Sequence, residues 1–139
     1  MPLRDLIKES LVSCEENESI TDVCQTMKSR DVGAVLVVDE QSKPLGIITD
    51  RDIVIRGMAE SIDFKKTTVG KLMTKSVDTV NLDMGLEDVI SLMRDKQIRR
   101  VPVVDENGKA VGLISFGDVF GLLAKEMAEL SRITPVEAA

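Results

Sequence analysis

The sequence contains no histidine, no tryptophan and no tyrosine, and aromatic residues are 2% of its 139 positions. Without histidine, a Cys/His zinc site and the usual imidazole base are both excluded. Without large aromatics, any core must be built from Val, Ile, Leu and Met. Cysteine is scarce as well. Cys14 and Cys24 are the only two, and both fall where small buried apolar side chains are expected. A nucleophilic cysteine would lack its customary base. Apolar runs are short, Val35-Leu36-Val37-Val38 being typical. None nears the roughly 20 residues of a membrane span. Residues 1–5 show no signal-peptide character, so the expected location is cytoplasmic. The net charge of −6 argues against a duplex nucleic acid partner, which would select a basic face.

What is present is an internal repeat with a constant offset of 66. Residues 10–60 align without a gap on 76–126, with 14 identities in 51 pairs. Val35 to Glu40 matches Val101 to Glu106, Gly46 to Thr49 matches Gly112 to Ser115, and Asp52 matches Asp118. Ile20, Val23, Cys24 and Met27 mark one face of a helix, and Leu86, Val89, Ile90 and Met93 repeat it. Each copy reads as a leading strand (about 11–14 and 77–80), a helix, two strands and a closing helix. The paired strands are 34–38 with 45–49, and 100–104 with 110–115, the second pair joined through Asn107-Gly108. The closing helices span about 50–59 and 116–131. The longer one is expected to turn Val119, Phe120, Leu123, Met127 and Leu130 inward. The fold class is thus α+β, mixed, with two β-α-β-β-α repeats about a pseudo-twofold axis. By sequence the copies divide as 1–66, with 61–68 as linker, and 67–131, leaving 132–139 as a tail. Packing the apolar faces of two copies together predicts two similar clefts, each lined by both halves.

The residues suited to chemistry sit where a strand runs into a helix. Thr49-Asp50-Arg51-Asp52 and Ser115-Phe116-Gly117-Asp118 share the pattern Thr/Ser-x-x-Asp. That spacing also describes a capping box, and Ser19-Ile20-Thr21-Asp22 is read as a cap alone. The other two recur at equivalent positions at the carboxyl end of a strand, where ligand sites gather in α/β folds. A carboxylate can accept both hydroxyls of a ribose. Arg51, Arg56, Arg99 and Arg100 supply guanidinium groups that suit phosphate oxygens. Phe116-Gly117 stands where the first copy has Asp50-Arg51, so the two clefts are not equivalent.

The doubled Gly-h-h-Thr/Ser-x-x-Asp pattern, its acidic turn and its 66-residue offset resemble a tandem pair of cystathionine-β-synthase (CBS) domains, or Bateman module, over about residues 3–130. The resemblance implies a regulatory module that is not an enzyme. It would bind AMP, ADP, ATP, S-adenosylmethionine or NAD as a regulatory ligand rather than a catalytic cofactor. It implies a homodimer acting in trans on an effector protein. By position, Thr49 and Asp52 would hold one ribose, with Arg51 near its phosphates and Ile47 on the base. Asp78, Ile98 and Arg100 would complete that cleft. Ser115 and Asp118 would hold the other ribose, with Arg99 toward the phosphates and Leu113 on the base. Val32, Gly33 and Ala34 would complete the second cleft. The competing reading is a structural dimerisation module with empty clefts.

Overall fold

The computed structural model describes residues 2–7 and 11–133. The expected tail from Arg132 therefore lies, beyond Ile133, outside the described residues. The first repeat holds β1 (Ser13–Glu15), α1 (Ile20–Arg30), β2 (Ala34–Val38) and β3 (Pro44–Thr49). The closing helix begins as α2 (Asp50–Asp52), continues as a π turn over Ile53–Gly57 and ends as a 3-10 turn over Met58–Glu60. Two elements follow between the expected linker at 61–68 and the expected leading strand at 77–80, α3 (Val69–Leu72) and β4 (Thr74–Lys75). The second repeat holds β5 (Val80–Asn81), α4 (Leu86–Lys96), β6 (Arg100–Val104), β7 (Ala110–Ser115) and α5 (Phe116–Ser131). The leading strands start later than expected, at Ser13 and Val80.

Two sheets form, with strand orders β1-β2-β3-β4 and β5-β6-β7. In each, the leading strand pairs parallel with the middle strand and the next two pair antiparallel. The repeat extends to fine detail. The hairpin turns are tied by Asp39 and Asp105, whose Oδ1 atoms accept from Gln41 and Lys43 and from Asn107 and Lys109 amides. Ser42 and Gly108 take the left-handed conformation at equivalent places. Helices α1 and α4 both end on left-handed residues, Asp31 and Gln97. The Ser19 hydroxyl accepts from the Asp22 amide at 3.1 Å, a cap as expected.

Each half has its own aliphatic core. One is built on Ile20, Val23, Met27, Val35, Val37 and Ile48, the other on Val89, Met93, Val101, Val103 and Ile114. A third cluster joins the halves, with Leu36, Val38 and Ile47 against Val77, Ala110 and Leu113. Cys14 is buried in the first core and Cys24 packs against it.

The short segments that precede each repeat cross over. Leu3, within a 3-10 turn (Leu3–Asp5), is fully buried in the second core, and Val69, its repeat equivalent, is fully buried in the first. The bonds are reciprocal too. The Leu3 amide donates to Met84 O at 3.0 Å and the Val69 amide to Glu18 O at 2.9 Å. Isolated bridges pair Pro2 with Gly85 and Thr68 with Ser19. Spatially, then, residues 2–7 complete the second half and residues 68–75 the first.

Helix α5 departs from expectation. Val119 is buried, but Phe120, Leu123, Met127 and Leu130 are 44–69% exposed. The helix packs on β7 and α4, while these four apolar side chains stay at the surface. Ile90 on α4 is likewise at the surface. Among the described residues no helix is long and apolar enough to cross a membrane.

Candidate functional site

The strand-to-helix corners form as reciprocal hydrogen-bonded boxes. The Thr49 hydroxyl accepts from the Asp52 amide at 3.1 Å, and Asp52 Oδ2 accepts from the Thr49 amide at 3.0 Å. Ser115 and Asp118 repeat this at 3.0 and 2.8 Å. Both acids therefore cap their helices. Each box uses one carboxylate oxygen, and Oδ1 is left over. In the first half Arg56 Nη1 stands 3.6 Å from Asp52 Oδ1 and donates to Leu72 O at 2.8 Å. Position 122, the equivalent of Arg56, is Leu, and among the described residues Asp118 has no ion pair.

Each box opens on a cavity lined by both halves. The Asp52 cavity, about 240 Å³, is lined by Ile47, Thr49 and Asp52 from the first half and Ile98, Arg99 and Arg100 from the second, with Thr74 to Asp78 between them. The Asp118 cavity, about 690 Å³, is lined by Gly112, Leu113, Ile114 and Asp118 from the second half and Val32 and Ala34 from the first. Asp5, Leu6, Ile7, Leu11, Val12, Leu86, Val119, Leu122, Lys125 and Glu126 complete it. The cavities are related by the repeat, Leu11, Val12, Val32, Ala34, Leu113 and Asp118 corresponding to Val77, Asp78, Ile98, Arg100, Ile47 and Asp52.

Most residues singled out from the sequence meet at these two places. Thr49, Asp52, Ile47, Asp78, Ile98 and Arg100 share the first, and Asp118, Leu113, Val32 and Ala34 the second. Ser115 reaches the second through its box with Asp118. Three differ. Arg99 lines the Asp52 cavity rather than the Asp118 cavity, from the bend that leads into β6. Its guanidinium lies 4.9 Å from the Phe116 ring centroid, a cation–π contact. Arg51 is exposed and lines neither cavity. Gly33 also lies outside the linings and packs against Asp50, whose Oδ2 would be 2.9 Å from an added Cβ.

The sequence reading missed the crossing segments and the distal part of α5. The signal was available in the 66-residue offset, which continues upstream through Leu3 and Val69, Leu6 and Leu72, and Ile7 and Met73. Of the cysteines, Cys14 is no nucleophile. Burial, and secondarily Glu18, pushes its thiol up to about 12. Cys24 is shifted upward by burial too.

Comparison with known proteins agrees with this architecture. The model of the CBS domain matches twice, at residues 3–58 and 69–125, so each match takes in one crossing segment. The CBS domain-containing protein YhcV of Bacillus subtilis is 37% identical over 117 residues, 84% of this chain and 81% of that protein. Hypoxic response protein 1 of Mycobacterium tuberculosis is 32% identical over 116 residues, 84% and 80% of the two chains. The chain spans 59% of an uncharacterized Methanopyrus kandleri protein to which it is 31% identical. Among solved structures, the CBS domain pair of protein MJ0100, in complex with 5′-methylthioadenosine and S-adenosyl-L-methionine, superposes with a TM-score of 0.79 at 27% identity. It covers 91% of this chain and 98% of that one. With both repeats matched and the crossed, pseudo-symmetric pairing in place, the chain belongs to the CBS domain family as a tandem pair of those domains.

Proposed function

We propose that the protein is a regulatory module that binds adenosine-containing ligands in its two clefts and passes the state of those clefts to a partner protein in trans. The observation that carries this reading is the placement of Asp52 and Asp118. Each stands on the rim of a cavity lined by both repeats, and its cap uses one carboxylate oxygen. The other oxygen can accept from ribose hydroxyls. Ile47 and Leu113 offer an apolar wall to a base. The structurally similar MJ0100 pair, solved with two adenosyl compounds, supports the same ligand chemistry. AMP, ADP, ATP, S-adenosylmethionine and NAD all carry it. The role is non-catalytic, with the adenine nucleotide acting as a signal. It is exercised in the cytoplasm, where adenine nucleotides abound.

The working unit in this reading is a homodimer. Phe116, Phe120, Leu123, Met127 and Leu130 leave an apolar strip on α5, and Val54, the repeat equivalent of Phe120, is 50% exposed. Such a strip on a small domain marks a partner surface. Ligand binding would act on the effector by favouring one dimer arrangement, to the extent that the ligand prefers it.

A dye-based thermal shift panel tests the reading, since the chain has no tryptophan to report unfolding. A ligand at a hundred times its Kd stabilises a fold by about 2.7 kcal/mol, a shift of several degrees. A rise with adenosine compounds but not with guanosine or cytidine compounds is expected. A panel with no rise returns the protein to the structural reading, in which the two boxes serve only as caps.

A further inference from the structure

Resting on the adenosyl-binding reading above, we infer that the two clefts sort their ligands by charge: the Asp52 cavity takes phosphate-bearing adenosine nucleotides, and the Asp118 cavity takes neutral or cationic adenosyl compounds. The repeat symmetry is broken at three places around the clefts. The first is Arg56, which faces Asp52 Oδ1 at 3.6 Å and is replaced by Leu122 beside Asp118. The second and third are Arg99 and Arg100, both in the lining of the Asp52 cavity. Their repeat equivalents are Gly33 and Ala34, and only Ala34 lines the Asp118 cavity. Every arginine that bears on one cleft is thus an uncharged residue at the other.

The remaining charges run the same way. Lys75 joins Arg99 and Arg100 in the Asp52 cavity, opposite Asp78 and an Asp52 already faced by Arg56. Among the described residues that line the Asp118 cavity, Lys125 is the one base against Asp5, Asp118 and Glu126. A phosphate dianion entering there meets three carboxylates, whereas an amino or sulfonium group meets complementary charge. Like charges brought together at a few ångströms are penalised strongly enough to set specificity. The larger volume of the Asp118 cavity, about 690 against 240 Å³, leaves room for an aminoacyl chain on the 5′ carbon. Phosphates at the smaller cavity would extend to its mouth, where Lys75 and Arg99 are exposed.

Isothermal titration of the full chain with AMP and with S-adenosylmethionine, singly and each in the presence of the other, tests this. The two are expected to bind together, each at one site per chain. Lys75→Glu should weaken AMP about tenfold, the scale of a single close charge pair, and leave S-adenosylmethionine within twofold. Glu126→Lys should weaken S-adenosylmethionine and leave AMP unchanged. Both side chains are at the surface, so neither change threatens the fold, and circular dichroism checks this. If AMP and S-adenosylmethionine displace each other one for one, or if each variant alters both ligands alike, the charge sorting is wrong while adenosyl binding stands. If no adenosine compound binds the parent chain, the adenosyl-binding reading falls and this inference with it.

Discussion

Asp52 accepts the Thr49 amide with Oδ2 at 3.0 Å and turns Oδ1 toward Arg56 at 3.6 Å. One carboxylate thus closes a helix start on one side and stands at a cavity on the other. The two duties separate by substitution. Asp52→Asn and Asp118→Asn keep an oxygen for the cap and remove the charge, and each should cost less than the roughly 1 kcal/mol of a lost cap. Each should nonetheless weaken binding in its own cavity about tenfold or more, as a charged acceptor of hydroxyl donors is lost. Calorimetry on both variants, with urea melts alongside, checks this.

Gly46 and Gly112 are repeat equivalents, yet substitution should affect them unequally. A Cβ on Gly46 would fall at the backbone oxygen of Thr74, on the adjacent strand β4. A Cβ on Gly112 would lie 2.9 Å from Ile7 Cδ1, the free end of a side chain. Overpacking costs about 1–3 kcal/mol. Gly46→Ala should fall at the upper end and Gly112→Ala at the lower, because Ile7 can rotate and a strand cannot. Denaturant midpoints of the two variants give the comparison.

The apolar strip on α5 sets the oligomeric state in the proposed reading. Phe120 is 64% exposed and stacks on Phe116 with centroids 6.2 Å apart. Phe120→Asp should convert the dimer to monomer in light scattering and leave the circular dichroism of the monomer unaltered. A parent chain that is monomeric at all concentrations counts against the dimer.

Cys14 gives a pH dependence of definite sign. Its thiol is pushed up from 9.0 to about 12 by burial and then by Glu18. The unfolded chain ionises first, so this contribution is complete below pH 9 and is lost as pH rises from there toward 12. The fall is at most about 1.4 kcal/mol per pH unit. Cys14→Val should flatten the stability profile over that range, measured as the urea midpoint against pH. Thiol reagents at pH 8 should label Cys24 well before Cys14.

Strands β2, β6 and β7 run over the residues that the sequence indicated, because β2 and β6 are rich in valine, β7 is mostly apolar, and each is bounded by a turn or a helix. Helix α5 also begins and ends where its periodicity does. What periodicity cannot say is what covers the apolar face, and Phe120, Leu123, Met127 and Leu130 find no cover among the described residues. Residues 3–7 and 69–75 are too short to show a period, so their roles as core plugs were silent in the local pattern. The bond from Arg56 to Leu72 O was silent for another reason, as its acceptor is backbone and carries no side-chain signature. Thr49, Asp52, Ser115 and Asp118 were legible because a chemically specific pattern occurred twice at one offset. The allocation of Arg99 was not, since it depends on how the bend before β6 is set against the first half.

The exchange of Leu3 and Val69 between cores has a consequence for how the molecule can be divided. Cleaving the chain in the loop at 61–67 would yield two pieces, each holding the stopper for the other's interior and lacking its own. Neither fragment should survive alone, yet mixing them should restore the native assembly. The pair behaves as an interlocked knot of two duplicated sequences rather than as two beads on a string.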